Sequence, residues 1–140
     1  MADKVTIVAY WETGQMSPLK EWNMWRQLKG AYHIDRFVFV PTKDYMANIS
    51  VIDQYDTMEE ALASLPEETN RVFLEPSGYN GMYDLPHGDI ALILGNTSRD
   101  NMAHAQVNET YAIKTEGGVA HNHLYGINAA AIALAFEYGQ

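Results

Sequence analysis

Ile90-Ala91-Leu92-Ile93-Leu94-Gly95-Asn96 is the stretch that decides the fold class. An unbroken apolar run of this length reads as a strand buried on both faces, because a half-exposed strand alternates apolar with polar residues. Gly95-Asn96 ends it sharply. Upstream, Val72-Phe73-Leu74 and Arg36-Phe37-Val38-Phe39-Val40 read as further strands, the latter stopped by Pro41. Val5 to Tyr10, rich in β-branched residues, reads as the first strand, and Ile49 to Ile52 as another. Downstream, Tyr111-Ala112-Ile113 is a shorter strand.

Helical signals lie between these runs. Ser17-Pro18 supplies an N-cap and a proline at the first helical position, and Leu19, Trp22, Trp25 and Leu28 give an apolar face. Gly30 is expected to end that helix. Thr57, three residues before Glu60, opens a short helix with Met58, Ala61, Leu62 and Leu65 on one face, ending before Pro66. The chain closes with Ile127 to Tyr138, an Ala-rich helix that is apolar on nearly every side. Such a helix must be covered on more than one face, by the domain or by a partner subunit.

Strands alternating with helices predict an α/β domain with a mainly parallel sheet and helices on both faces. Its ligand would bind beyond the carboxyl ends of the strands, in the loops after Tyr10, Leu74, Leu94 and Ile113. Trp11 to Met16 reads as a loop. Glu75 to Gly88 is Gly/Pro-rich without periodicity, and a loop of that length is often functional.

The 140 residues fit one domain, read as 1–140, and a hydrophobic share of 47% suffices for a packed core. The absence of cysteine excludes disulfides and thiolate metal sites. Met1-Ala2-Asp3-Lys4 leads straight into a strand, and the apolar run Ala129 to Phe136 is far short of the ~20 residues that cross a bilayer. The expectation is a cytoplasmic protein with no membrane partner. A net charge of −9 with nine Lys and Arg disfavours a large nucleic-acid interface, which draws its affinity from basic residues.

Three segments of the second half resemble the SpoU-type branch of the SPOUT methyltransferases. They are Ile90 to Asn96, Tyr111-Ala112-Ile113-Lys114, and His123-Leu124-Tyr125-Gly126-Ile127-Asn128-Ala129-Ala130-Ala131-Ile132. The last is similar to the segment entering that family's final Ala-rich helix. His33-Ile34-Asp35-Arg36-Phe37-Val38-Phe39-Val40 resembles the approach to its second strand and the strand itself. The resemblance implies a C-terminal trefoil knot, S-adenosylmethionine as cofactor, a homodimer, and methyl transfer to RNA. It places Leu94, Gly95 and Asn96 along the cofactor, with Ile113 and Leu124 beside its adenine. Leu74 and Glu75 end the preceding strand, and the Glu75 carboxylate could accept hydrogen bonds from the ribose diol.

The chain also departs from that pattern. Counting back from His33-Ile34, Glu21 and Gln27 stand where the family has a motif Asn and a catalytic Arg, with Arg26 one residue away. Thr97 replaces an acid, and His123 and Tyr125 replace a Ser and an Asn. The catalytic candidates are therefore Arg26 and His123, the latter with a pKa near working pH. The same changes suit a non-catalytic SPOUT-like dimeric binding protein, and a flavodoxin-like or Rossmann-like domain binding another small ligand is the further alternative.

Other motifs carry less. His121 and His123 form an i, i+2 pair with no acidic or Cys ligand nearby in sequence, so no metal is expected. Trp22 and Trp25 suit either a core or dimer face or the stacking of a base. Tyr79-Asn80-Gly81-Met82-Tyr83 suits a substrate lid or a surface loop. No GxGxxG, P-loop or GxSxG is present.

Overall fold

The computed structural model describes residues 2–12, 16–95, 103–113 and 126–138. Its strands are β1 (Ala2–Tyr10), β2 (Arg36–Val40), β3 (Ile52–Gln54), β4 (Asn70–Leu74), β5 (Asn80–Gly81), β6 (Gly88–Leu94) and β7 (Thr110–Ala112). They form one sheet in the order β3-β2-β1-β6-β4-β7-β5, and every pairing is parallel. The apolar run that decided the fold class is β6, near the middle of the sheet between β1 and β4.

Helices cover both faces. Alternate strand residues Val5, Ile7, Ala9, Phe37, Phe39, Val72, Leu92 and Leu94 pack beneath α1 (Pro18–Ala31) and α3 (Gly126–Tyr138). Their neighbours Val8, Val38, Val40, Phe73, Ala91 and Ile93 pack against Met58, Ala61 and Leu62 of α2 (Met58–Ala63), with Leu65 just beyond it. This two-residue period is what a fully buried strand requires: both faces apolar, each claimed by a different layer.

The local signals for α1 hold. Ser17 caps it, its Oγ accepting the Lys20 N–H at 3.3 Å, and Pro18 occupies the first turn. The helix runs through Gly30 to Ala31, where the Tyr32 N–H still reaches Leu28 O at 2.9 Å. Leu19 departs from expectation: it is 53% exposed, and Pro18 and Glu21 are buried instead. Three successive steps of three residues leave Leu19 and Leu28 about half a turn apart at 3.6 residues per turn, so one core cannot take both.

β3 begins at Ile52 rather than Ile49. Ile49 belongs to a run of tight turns, its N–H donating to Met46 O at 3.2 Å and its carbonyl accepting from Ile52 N at 3.3 Å. Polar anchoring fixes the strand: Asp53 pairs with Arg36 at 2.7 Å, and Gln54 bonds the Lys43 backbone through both ends of its amide. α2 starts where Thr57 predicts, with Thr57 Oγ1 accepting the Glu60 N–H at 3.2 Å.

The aromatic residues of α1 are core. Trp22 and Trp25 are buried and meet Phe37 and Phe39 edge-on, while Trp11 stacks on Phe39 with centroids 4.0 Å apart. Burial removes the base-stacking alternative for Trp22 and Trp25. α3 buries Ile127, Ala130, Ala133 and Leu134 within its own subunit, leaving Ala129, Ala131, Ile132 and Phe136 half-buried. No helix among the described residues is long and apolar enough to cross a membrane.

Candidate functional site

Because all the strands are parallel, their carboxyl ends share one edge of the sheet. Leu74 of β4 pairs with Leu94 of β6 on one side and with Tyr111 of β7 on the other. The Glu75 N–H continues that ladder to Tyr111 O at 3.0 Å. α3 starts against the same edge: a Cβ on Gly126 would lie 3.4 Å from Leu94 Cβ and 3.5 Å from Gly95 O. The fold thus brings Leu74, Glu75, Leu94, Gly95 and Ile113 together along this edge. The side chains of Leu74, Glu75, Leu94 and Ile113 are buried, whereas Gly95 is partly open to solvent. Asn96, His121, Asn122, His123 and Leu124 lie outside the described residues.

The segment read as an unpatterned loop has a defined course. Glu75-Pro76-Ser77-Gly78 makes a tight turn closed by the Gly78 N–H on Glu75 O at 3.0 Å, with proline in its favoured second position. Gly78 then crosses directly over β7. A Cβ there would sit 2.4 Å from Tyr111 C and 2.6 Å from Tyr111 N, a separation only glycine permits. Beyond the crossing, Tyr79 N–H donates to Thr110 Oγ1 at 2.9 Å, and Asn80 Nδ2 donates to Asn108 O and Thr110 O. Asn80-Gly81 becomes β5 on the far side of β7.

Residues 75–79 are therefore a strap over β7. Within Tyr79 to Tyr83, Asn80-Gly81 is an edge strand pinned to the sheet, while the Tyr79 and Tyr83 side chains stay exposed at the surface. Met82 is buried, and the exposed Tyr83 ring sits edge-on to Phe136 at 5.3 Å. Pro at the second and Gly at the fourth position of the turn were signals of it in the sequence. The crossing itself left none.

Tyr111, beneath the strap, is a buried phenol. Burial pushes its pKa above 10.0, and the nearby Asp84 and Glu109 carboxylates push it further the same way. Arg26 lies elsewhere. It is exposed on the outer face of α1, where it lines a shallow open hollow with Asn23 and Gln27. Glu21 is not available to solvent at all, being 2% exposed and engaged by backbone and indole donors. Among the described residues, no three His, Asp or Glu side chains come together in a way that could hold a metal.

The sheet also has a topological switch point. From β1 the chain passes through α1 to β2 on one side; from β6 it passes to β7 on the other. The described part of the second connection, residues 103–109, lies on the face opposite α1. α1 covers the aromatic face, whereas Ala105 packs with the α2 cluster and His104 reaches Glu59 of α2 at 3.5 Å. Open α/β sheets bind ligands outside the carboxyl ends of such strand pairs. Here the pair is β1 and β6, joined in register at Ala9 and Leu94, one residue before Gly95.

No family model matches the chain, and no curated protein matches it at a significant level. Among solved structures, it is similar to one described as "Structural insights into the 2-OH methylation of C/U34 on tRNA". The TM-score is 0.63 with 14% identity, covering 98% of this chain and 98% of that one. At that identity the likeness establishes a shared fold over the whole length.

Proposed function

We propose that the chain is a SPOUT-like, S-adenosylmethionine-binding methyltransferase working as a homodimer. The observation that carries this reading is the convergence of Leu74, Glu75, Leu94, Gly95 and Ile113 on one edge, in a fold shared with a protein of tRNA methylation. The donor set suits the cofactor. Leu94 and Gly95 would line the cofactor, Gly95 leaving its backbone approachable. Ile113 would lie beside the adenine together with Leu124, which is outside the described residues, and the Glu75 carboxylate suits a ribose diol. Bound there, the cofactor supplies an electrophilic methyl group. The chain's own residues then need only align an acceptor and take up its proton.

Arg26 and His123 are the proposed catalytic residues. Arg26 lies on the solvent side of a helix whose other side is packed on the sheet, so it serves a site only through a second subunit. The half-buried apolar residues of α3 favour such a dimer. A strap over β7 is in keeping with a knotted C-terminal segment; residues 96–102 and 114–125, which would close the knot, lie outside the described residues. RNA is the substrate class suggested by the resemblance, and the charge of −9 weighs against an extensive RNA interface.

Calorimetric titration with S-adenosylmethionine and S-adenosylhomocysteine tests the reading. Saturable binding near one ligand per subunit, weakened by Gly95→Trp, is expected. No binding up to millimolar ligand would remove the methyltransferase reading and leave a dimeric binding scaffold.

A further inference from the structure

The residue that sequence counting places at the motif Asn position has a setting of its own. Glu21 is buried in α1, and each of its carboxylate oxygens accepts a hydrogen bond. Oε1 takes the backbone N–H of Glu12 at 2.7 Å, and Oε2 takes the indole N–H of Trp25 at 3.0 Å. The Trp25 bond is local to the helix. The Glu12 bond reaches out of it, to the backbone leaving β1, three residues beyond Ala9, which pairs with Leu94. One residue earlier, the Trp11 N–H donates to Val40 O at 2.9 Å. The backbone leaving the carboxyl end of β1 is thus clamped to β2 at Trp11 and to α1 at Glu12.

A buried carboxylate is a costly clamp. Desolvation raises the Glu21 pKa, the bonds from Trp25 and Glu12 pull it back, and the neighbouring Glu12 carboxylate adds to the rise. An apolar side chain would fill the space more cheaply but could not hold a backbone N–H. We propose that Glu21 is a positioning residue, whose carboxylate fixes the Trp11-Glu12 backbone just beyond β1, next to the strand ends where the ligand is proposed to bind. The proposal rests on the ligand reading above, and the functional part of its test uses the same ligand.

Glu21→Gln and Glu21→Ala are compared with Thr57→Ala, which weakens the cap of α2 on the opposite face of the sheet and serves as a control for stability alone. Gln can accept only one of the two N–H groups, so it should weaken the clamp and Ala should abolish it. Two quantities are read: exchange of the Glu12 amide hydrogen, and affinity for S-adenosylhomocysteine.

Glu21→Ala should speed Glu12 exchange roughly tenfold or more, as loss of a hydrogen bond to a charged group predicts, with Glu21→Gln intermediate. Affinity should fall in the same order, while Thr57→Ala lowers the melting temperature and leaves affinity unchanged. Undiminished protection at Glu12 in both Glu21 variants overturns the proposal. So does affinity that merely follows melting temperature across all three. If wild-type protein binds no S-adenosylhomocysteine, the methyltransferase reading fails, and Glu12 exchange still decides whether Glu21 holds the segment.

Discussion

The two faces of the sheet solve one packing problem with different chemistry. Under α1 and α3, Trp11, Trp22, Trp25, Phe37 and Phe39 form a connected ring cluster, with centroid separations from 4.0 to 6.2 Å. The same face buries the Glu21 carboxylate and the Tyr111 phenol. Under α2 the contacts are chiefly aliphatic, with Val8, Val38, Val40 and Ile93 against Met58, Ala61 and Leu62. Among the described residues that face carries a six-residue helix, with Leu65, Tyr55 and Ala105 beside it, and the other carries helices of fourteen and thirteen residues. The difference teaches where specificity is placed. Rings fix orientation through edge and face geometry, and buried polar groups demand particular partners, whereas branched aliphatics repack readily.

Truncation should separate the faces most strongly. Phe39→Ala removes a ring touching Trp11, Trp22, Trp25 and Phe37, and is expected to cost about 4 kcal/mol in urea unfolding; Leu62→Ala on the α2 side should cost about 2–3 kcal/mol. A larger loss from Leu62→Ala would reverse the comparison. Gly78→Ala comes next. Its methyl group would collide with Tyr111 backbone, so the strap must lift, at roughly 2–3 kcal/mol. A fully stable variant would mean that the strap is not held against β7.

The smallest effect is a slope with pH. Burial raises the native pKa of Glu21 above its ordinary 4.5, so between that value and the raised one the native state holds more proton than the unfolded chain. Glu21 therefore contributes a loss of stability as pH rises through that window, opposite in sign to a salt-bridged carboxylate. Subtracting the unfolding curve of Glu21→Gln from that of the wild type isolates the contribution. A difference that grows in favour of the wild type with rising pH would contradict the direction of the shift.

Much of the frame was legible. Apolar runs located the cores of β1, β2, β4, β6 and β7, whereas the polar residues that open β1, β4 and β7 lay outside those runs. Ser17-Pro18 and Thr57 marked helix starts because capping is a local interaction. β3 was displaced, because Asp53 and Gln54 are held in the sheet by Arg36 and by Lys43 backbone, partners remote in sequence. β5 was invisible, because two residues carry no period and its pairing depends on a strand thirty residues later. Leu74, Glu75, Leu94, Gly95 and Ile113 were found at the strand ends because a parallel sheet collects them on one edge. The clamp on Glu12 was missed, because nothing in the order of residues says that a helix carboxylate turns inward.

By itself, then, the sequence determined what depends on neighbours along the chain: strand cores, helix caps, and a parallel α/β architecture. Tertiary structure alone decided the strand order, the strap that Gly78 carries over Tyr111, and the burial of Glu21 against Glu12 and Trp25. The physical reason is range. Propensity and periodicity act over a few residues, whereas these features are contacts between distant segments, whose formation depends on which surfaces the finished sheet brings face to face.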